Sequence, residues 1–188
     1  MRRVVCTAFS LLLFMSFASA QIPSGNVFFG YSYYNTSLAN TNRASLNGWE
    51  ASVEGRVLPF IGIVADFSSQ YGSQDFPAVF NCPSGPPLCG ASGTVSAHVT
   101  ETNILFGPRF SMSVKKFRPF AEFEFGVGHV SSNGFGSDTA FATAVGGGLD
   151  YRIIRPIAWR FEGDFVSTRF FSVSQNNVRL STGIVLRF

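Results

Sequence analysis

The chain has 188 residues, of which 46% are hydrophobic and only 13% charged, with 14 basic and 11 acidic side chains. That length suits one domain. The small charge excess offers no nucleic-acid footprint, and beyond residue 20 no apolar run approaches the ~20 residues of a transmembrane helix.

Met1-Arg2-Arg3 is a basic opening, residues 4–17 are almost unbroken in apolar character, and Ala18-Ser19-Ala20 supplies a small-residue cleavage site. This is the pattern of a secretory signal peptide over residues 1–20, leaving residues 21–188 as a single mature domain. An apolar stretch of ~14 residues is too short to span a bilayer, and Cys6 lacks the lipobox-like run of a lipoprotein. Cleavage removes Arg2 and Arg3, so 12 basic side chains then stand against 11 acidic ones.

Past the leader, 22 Phe and 19 Gly in the full chain, period-2 alternation and a scarcity of helix-period segments predict an all-β protein. Eight strands are expected. The first covers residues 26–34 and the second 46–57, where Glu50, Glu54 and Arg56 interleave with Trp49, Ala51, Val53 and Val57. A tight Leu58-Pro59-Phe60 connection leads into the third, 61–71, with Asp66 opposing Ile63, Ala65 and Phe67. A long loop rich in Gly, Pro and Ser is expected over about 72–94. The fourth strand, 95–111, sets Glu101, Asn103, Gly107 and Arg109 against Ile104, Phe106, Pro108 and Phe110. After a turn at 112–116, the fifth alternates Ala121, Phe123, Phe125 and Val127 with Glu122, Glu124, Gly126 and Gly128. The sixth sets Phe141, Val145, Leu149 and Tyr151 against Ala142, Ala144, Gly146, Gly148, Asp150 and Arg152. The seventh opposes Trp159, Phe161 and Phe165 to Arg160, Glu162 and Asp164. The eighth, 177–188, places Val178, Leu180, Thr182, Ile184, Leu186 and Phe188 on one face and Asn177, Arg179, Ser181, Gly183, Val185 and Arg187 on the other.

Connections near Leu58, Ser113 and Arg155 are short, and those after Tyr34, Tyr71, Val130 and Phe171 are longer, the asymmetry of an outer-membrane barrel with its termini on the periplasmic side. The competing fold is a soluble lipocalin-like barrel with its apolar face inside. Residue size separates the two. Phe, Trp and Leu crowd the apolar faces while Gly and Ala accompany the charges, and eight strands leave a narrow interior. Bulky-out and small-in describes a barrel whose exterior is lipid.

On that assignment the bore is lined by Glu50, Glu54, Asp66, Glu122, Glu124, Asp150, Glu162 and Asp164 together with Arg56, Arg109, Arg152, Arg160, Arg179 and Arg187. Buried charges are costly unless paired, so a near-balanced set reads first as ionic packing and second as a narrow polar path for ions. Cys82 and Cys89, the only cysteines of the mature chain, are expected to form a disulfide in the longest loop, because an exported protein meets an oxidising compartment. Tyr31, Tyr33, Tyr34, Trp49, Tyr71, Tyr151, Trp159 and Phe188 sit near strand ends or on outward faces, where aromatic girdles fall. His98 and His129, with Ser96, Ser131, Ser132 and Asp138, have no catalytic spacing. No phosphate-cradling loop, HExxH or nucleophile elbow is present, so no enzyme, cofactor or metal site is expected.

Ser181-x-Gly183-x-x-Leu186-x-Phe188 is similar to the terminal signature of bacterial outer-membrane β-barrels, with Leu186 where an aromatic is often found. Leu105-Phe106-Gly107-Pro108-Arg109 and Pro119-Phe120-Ala121 resemble strand segments of small barrels of that kind. The mature chain therefore resembles an OmpA/OmpX-like outer-membrane β-barrel domain. The resemblance implies an eight-stranded antiparallel up-and-down transmembrane β-barrel, outer-membrane lipid around it, and recognition of Ser181, Gly183, Leu186 and Phe188 by the barrel-assembly machinery. The periplasmic peptidoglycan-binding domain of longer OmpA proteins does not follow Phe188, so cell-wall tethering is not carried over. The expected role is structural, a barrel displaying loops to an unidentified external ligand. A narrow porin-like channel is the alternative, and an outer-leaflet lipid-modifying enzyme ranks below it.

Overall fold

The computed structural model describes residues 24–36, 43–80, 91–133 and 136–188. The leader expected over 1–20 and the pairing expected between Cys82 and Cys89 lie outside the described residues. Eight strands follow one another: β1 (Gly25–Thr36), β2 (Ala44–Leu58), β3 (Ile61–Phe80), β4 (Ala91–Ser111), β5 (Phe117–Ser132), β6 (Gly136–Arg152), β7 (Ile157–Thr168) and β8 (Gln175–Arg187). Each pairs antiparallel with the next, and β8 returns to β1 to close the barrel. The closing ladder runs from Asn26↔Arg187 to Asn35↔Val178. Gly25 N donates to Phe188 O at 2.9 Å and Phe188 N to Gly25 O at 3.1 Å, so the chain's last residue is tied to its first strand.

Alternation decides which side each residue faces, and here the faces are inverted relative to a soluble protein. Phe165 is 70% exposed while Glu50 and Arg179 are 0% exposed. Val53, Ile63, Phe106, Phe123, Val145, Phe161, Leu180 and Ile184 also point outward. Their band begins at the end carrying the termini and stops near Tyr31, Trp49, Tyr71, Val127 and Phe141. Beyond it the exposed residues turn polar, as at Ser45, Ser73, His98, Ser131 and Thr139. On β5 the band runs from Phe117 to Val127, ten steps of ~3.3 Å that, at a strand tilt of roughly 40°, give a height of ~25 Å. That is the thickness of the apolar belt on a transmembrane barrel. A one-residue slip of any strand would carry its charges into this belt, so the register is strongly specified.

The expected 72–94 loop is largely strand. β3 and β4 continue pairing from Gly72↔Val99 out to Phe80↔Ala91, beyond the last β2–β3 pair at Asn47↔Tyr71 and the last β4–β5 pair at Val99↔Ser132. The Gly, Pro and Ser content hides the alternation, but each strand satisfies the other's backbone groups across the ladder. The result is a two-stranded ribbon standing beyond the barrel wall. The connection after Val130 is also shorter than expected, because β5 and β6 pair as far as Ser132↔Gly136. Gly136 takes φ +91° there, a conformation glycine adopts freely.

Between β4 and β5 the ladder skips from Phe106↔Phe125 to Arg109↔Glu122. Pro108 has no N–H to offer. Gly107 lets the strands approach so closely that a Cβ there would lie 1.9 Å from Phe123 O.

Candidate functional site

The distinctive chemistry of this molecule lies in its bore, and strand register assembles it. Arg109 faces Glu122, Arg118 faces Asp150, Asp150 faces Arg160, and Asp164 faces Arg179 as direct cross-strand partners. Opposite charges at such positions attract, and here they do so out of water. Arg109 Nε donates to Glu122 Oε2 at 2.5 Å, and its Nη2 reaches Glu162 Oε1 at 3.2 Å. Arg118 is bonded to Glu54, and Arg160 Nε donates to Asp150 Oδ1 at 2.7 Å. Arg179 Nη1 donates to Asp66 Oδ1 at 2.7 Å and its Nε to Asp164 Oδ2 at 2.9 Å, with Glu50 Oε2 at 3.3 Å. Arg187, partly buried at the rim, reaches Asp150 Oδ2 at 3.2 Å.

Aromatic rings floor this layer. The Arg109 guanidinium stacks 4.4 Å from the Phe120 ring centroid, and Arg160 lies 4.6 Å from Phe120 and 4.9 Å from Phe28. A desolvated cation over an aromatic face gains ~2 kcal/mol. Phe28, Ala158 and Val185 form a small apolar cluster at this end.

Above the charges the bore changes character. Tyr34 donates to Glu101 Oε1 at 2.8 Å and accepts from Asn177 Nδ2 at 3.0 Å. Tyr34 is itself part of an apolar plug with Leu46, Ala97, Val99, Leu105, Val130, Ala142, Ala144, Val166 and Phe170, which reaches from the level of Asp66 and Glu124 toward the loop end. Phe170 comes from the short 3-10 turn Phe170–Ser172 between β7 and β8. That turn is held by Phe171 N donating to Asp138 Oδ2 at 2.5 Å, with Phe171 at φ 50°.

Of the residues assigned to the bore from sequence, Glu50, Glu54, Asp66, Arg109, Glu122, Glu124, Asp150, Arg160, Glu162, Asp164 and Arg179 are buried there, and Arg187 stands at its rim. Two positions differ. Arg152 is exposed, its Nη2 donating to Lys115 O at 2.9 Å, because β6 has already passed the rim at that point. Arg56 is only half-buried beside the irregular β2–β3 register between Arg56 and Leu58. Sequence reasoning missed Arg118 and the apolar plug, placed Glu101 on the inward face of the fourth strand without counting it among the bore charges, and put Tyr34 in an outward girdle although it is fully buried. Arg118 had a legible signal, since it shares the parity of Glu122 and Glu124 on β5.

With these changes the near balance of charge is gone. Nine carboxylates are buried, Glu50, Glu54, Asp66, Glu101, Glu122, Glu124, Asp150, Glu162 and Asp164, against four buried arginines and Arg187. Glu122, Glu162 and Asp164 bring carboxylate oxygens within 4.8 Å of one another. Two bare charges at that spacing repel by ~3.5 kcal/mol at an effective dielectric constant near 20.

The histidines are elsewhere. His129 Nδ1 shares a 2.8 Å hydrogen bond with Thr139 Oγ1, and His98 Nδ1 lies 3.5 Å from Ser73 Oγ. Asp138 is occupied by backbone donors, Thr139 N at 2.8 Å as well as Phe171 N. Ser181 Oγ, within the proposed terminal signal, donates inward to Glu50 Oε2 at 2.5 Å, while Leu186 and Phe188 point outward.

A closed eight-stranded antiparallel barrel with an apolar exterior and an ion-paired interior has the architecture of the small outer-membrane β-barrels. Solved structures of that class share the fold. Neisserial surface protein A superposes with a TM-score of 0.64 at 12% identity, covering 87% of this chain and 97% of its own. Ail of Yersinia pestis, solved in complex with the heparin analogue sucrose octasulfate, superposes with a TM-score of 0.55 at 13% identity, covering 88% of this chain and 99% of its own. No protein-family model and no curated protein matches the sequence.

Proposed function

We propose that the chain is a non-conducting outer-membrane barrel, exported by its leader, whose working part is the β3–β4 ribbon and the neighbouring loops. The observation that carries this reading is the filled bore beside the projecting ribbon. Arg109, Arg160 and Arg179 at mid-height and Leu46, Leu105 and Phe170 above them are at most 1% exposed, whereas paired strands continue beyond the wall. A channel needs an open centre. Catalysis is not favoured either, because the His129 and Asp138 hydrogen bonds go to other partners.

The polyanion bound to Ail does not transfer to this chain. At the loop end Arg43 and Arg169 are offset by Asp75 and Asp138, so the ribbon suits an uncharged or mixed-charge partner surface. The test is planar-bilayer recording of the refolded mature chain together with a variant lacking residues 76–92. The expected result is a silent bilayer, and a variant that keeps heat-modifiable migration and outer-membrane fractionation but loses cell attachment. Discrete, reproducible openings, or full attachment without the ribbon, would overturn it.

A further inference from the structure

The surplus of negative charge in the bore is not spread evenly. β6 runs between β5 and β7, and the register lines Glu122 with Gly146 and Gly146 with Asp164. A Cβ on Gly146 would fall 1.9 Å from Asp164 Oδ1, so that carboxylate reaches across β6 through space only a glycine leaves open. Arg109 holds Glu122 Oε2 and Glu162 Oε1, and Arg179 holds Asp164 Oδ2. The atoms left over, Glu122 Oε1 and Asp164 Oδ1, have no hydrogen-bond partner. Glu122 and Asp164 are two of the three residues, with Glu162, that each bring one carboxylate oxygen within 4.8 Å of the others.

A second observation comes from Glu124, two residues along the same inward face of β5. It is 1% exposed, and neither of its carboxylate oxygens has a hydrogen-bond donor. Its ion pair with Arg179 Nη2 is long, at 3.9 Å. A buried ionised carboxylate without a donor is among the costliest groups a protein can hold. Glu124 stands next to Asp164, which reaches the same Arg179 Nη2 at 2.9 Å.

We propose that the pocket of Glu122, Glu162 and Asp164, with Glu124 beside it, binds a hard divalent cation, calcium by preference. Every donor is a carboxylate oxygen, which selects against metals that favour thiolate or imidazole. The set is irregular and enclosed. Calcium accepts varied oxygen geometries, whereas magnesium demands near-octahedral order and keeps its waters. Because the plug and the arginine layer close the bore on either side, the ion enters as the barrel folds and then exchanges slowly. The inference departs from the sequence expectation of no metal and is independent of the display role.

The experiment refolds the full mature chain in detergent with calcium, with magnesium or with EDTA, removes free metal by gel filtration, and measures bound metal by elemental analysis. The wild-type chain should retain about one calcium per folded barrel, resistant to EDTA added after folding. Glu124→Gln and Asp164→Asn should fold yet bind calcium on the order of 10–100-fold more weakly. Glu101→Gln, in the upper bore, should keep the ion. A folded wild-type barrel that emerges metal-free from calcium overturns the proposal, as does equal retention by both pocket variants or loss of the ion from Glu101→Gln. Should neither pocket variant fold, the wild-type measurements decide. A heat-modifiable transition at the same temperature after refolding in calcium and in EDTA also overturns it.

Discussion

Replacing Arg179 with Met tests whether the ion network holds the barrel together, because the change keeps much of the side-chain volume and removes the charge with its N–H donors. Asp66 at 2.7 Å, Asp164 at 2.9 Å and Glu50 at 3.3 Å would lose their cation, and Ser68 Oγ its 3.1 Å donor. Breaking a buried pair by removing one partner costs about 3–5 kcal/mol, because the other charge is stranded. Two aspartates are stranded here, so the expected loss is near the upper end, at about 5 kcal/mol. The assay is equilibrium urea unfolding in phospholipid vesicles followed by Trp49 and Trp159 fluorescence, with EDTA throughout to keep metal out of the comparison. Adding Asp66→Asn and Asp164→Asn to Arg179→Met should recover more than half of the loss, since the amides no longer need a cation. A loss below about 1 kcal/mol, the range of an exposed pair, would refute the reasoning, as would a triple variant no more stable than the single one.

Tyr34→Phe removes the hydroxyl that serves both Glu101 and Asn177, and should cost about 1–3 kcal/mol in the same titration; an unchanged midpoint would mean water replaces it. Gly107→Val puts a side chain against Phe123 O and should destabilise by about 1–3 kcal/mol through forced backbone shifts, read as a lower urea midpoint. Trp49 and Trp159 lie on outward faces, so lipids brominated on their acyl chains should quench their fluorescence, and absence of quenching would argue against a lipid-facing band. Deleting Phe188 should reduce the outer-membrane fraction in cells far more than refolding yield in vitro; equal effects would assign its role to the Gly25 hydrogen bonds rather than to an assembly signal.

The sequence carried the architecture where charge and bulk alternated without interruption. Glu122-Phe123-Glu124-Phe125 and Arg160-Phe161-Glu162 separate two faces, and the bulk of the Phe residues against the small residues that accompany the charges then says which face turns inward. It failed where the inward residues were themselves apolar. Leu46, Val99, Val130 and Val166 occupy the bore's upper level, and their parity is unreadable beside apolar or small neighbours. Ribbon residues 72–80 were hidden for a related reason, since outside the bilayer neither face has to be apolar. Arg152 marks the limit at strand ends, where only the true height of the rim decides whether an arginine of inward parity is enclosed. The carboxylate convergence was invisible because Glu122 and Asp164 meet across a strand that offers a glycine, a relation that depends on three-strand register.

Closure of β8 onto β1 leaves no unpaired strand side at the level of the apolar band, so open backbone edges are confined to the loop end. The longest belong to the ribbon, where β3 from Gly72 and β4 up to Ala97 pair with each other alone. Bare edges are templates for edge-to-edge aggregation. The ribbon carries Pro77, which has no N–H to donate, and the charged Asp75 on one strand. The segment best placed to meet a partner is thus also the one whose edge is guarded against pairing with a neighbouring copy.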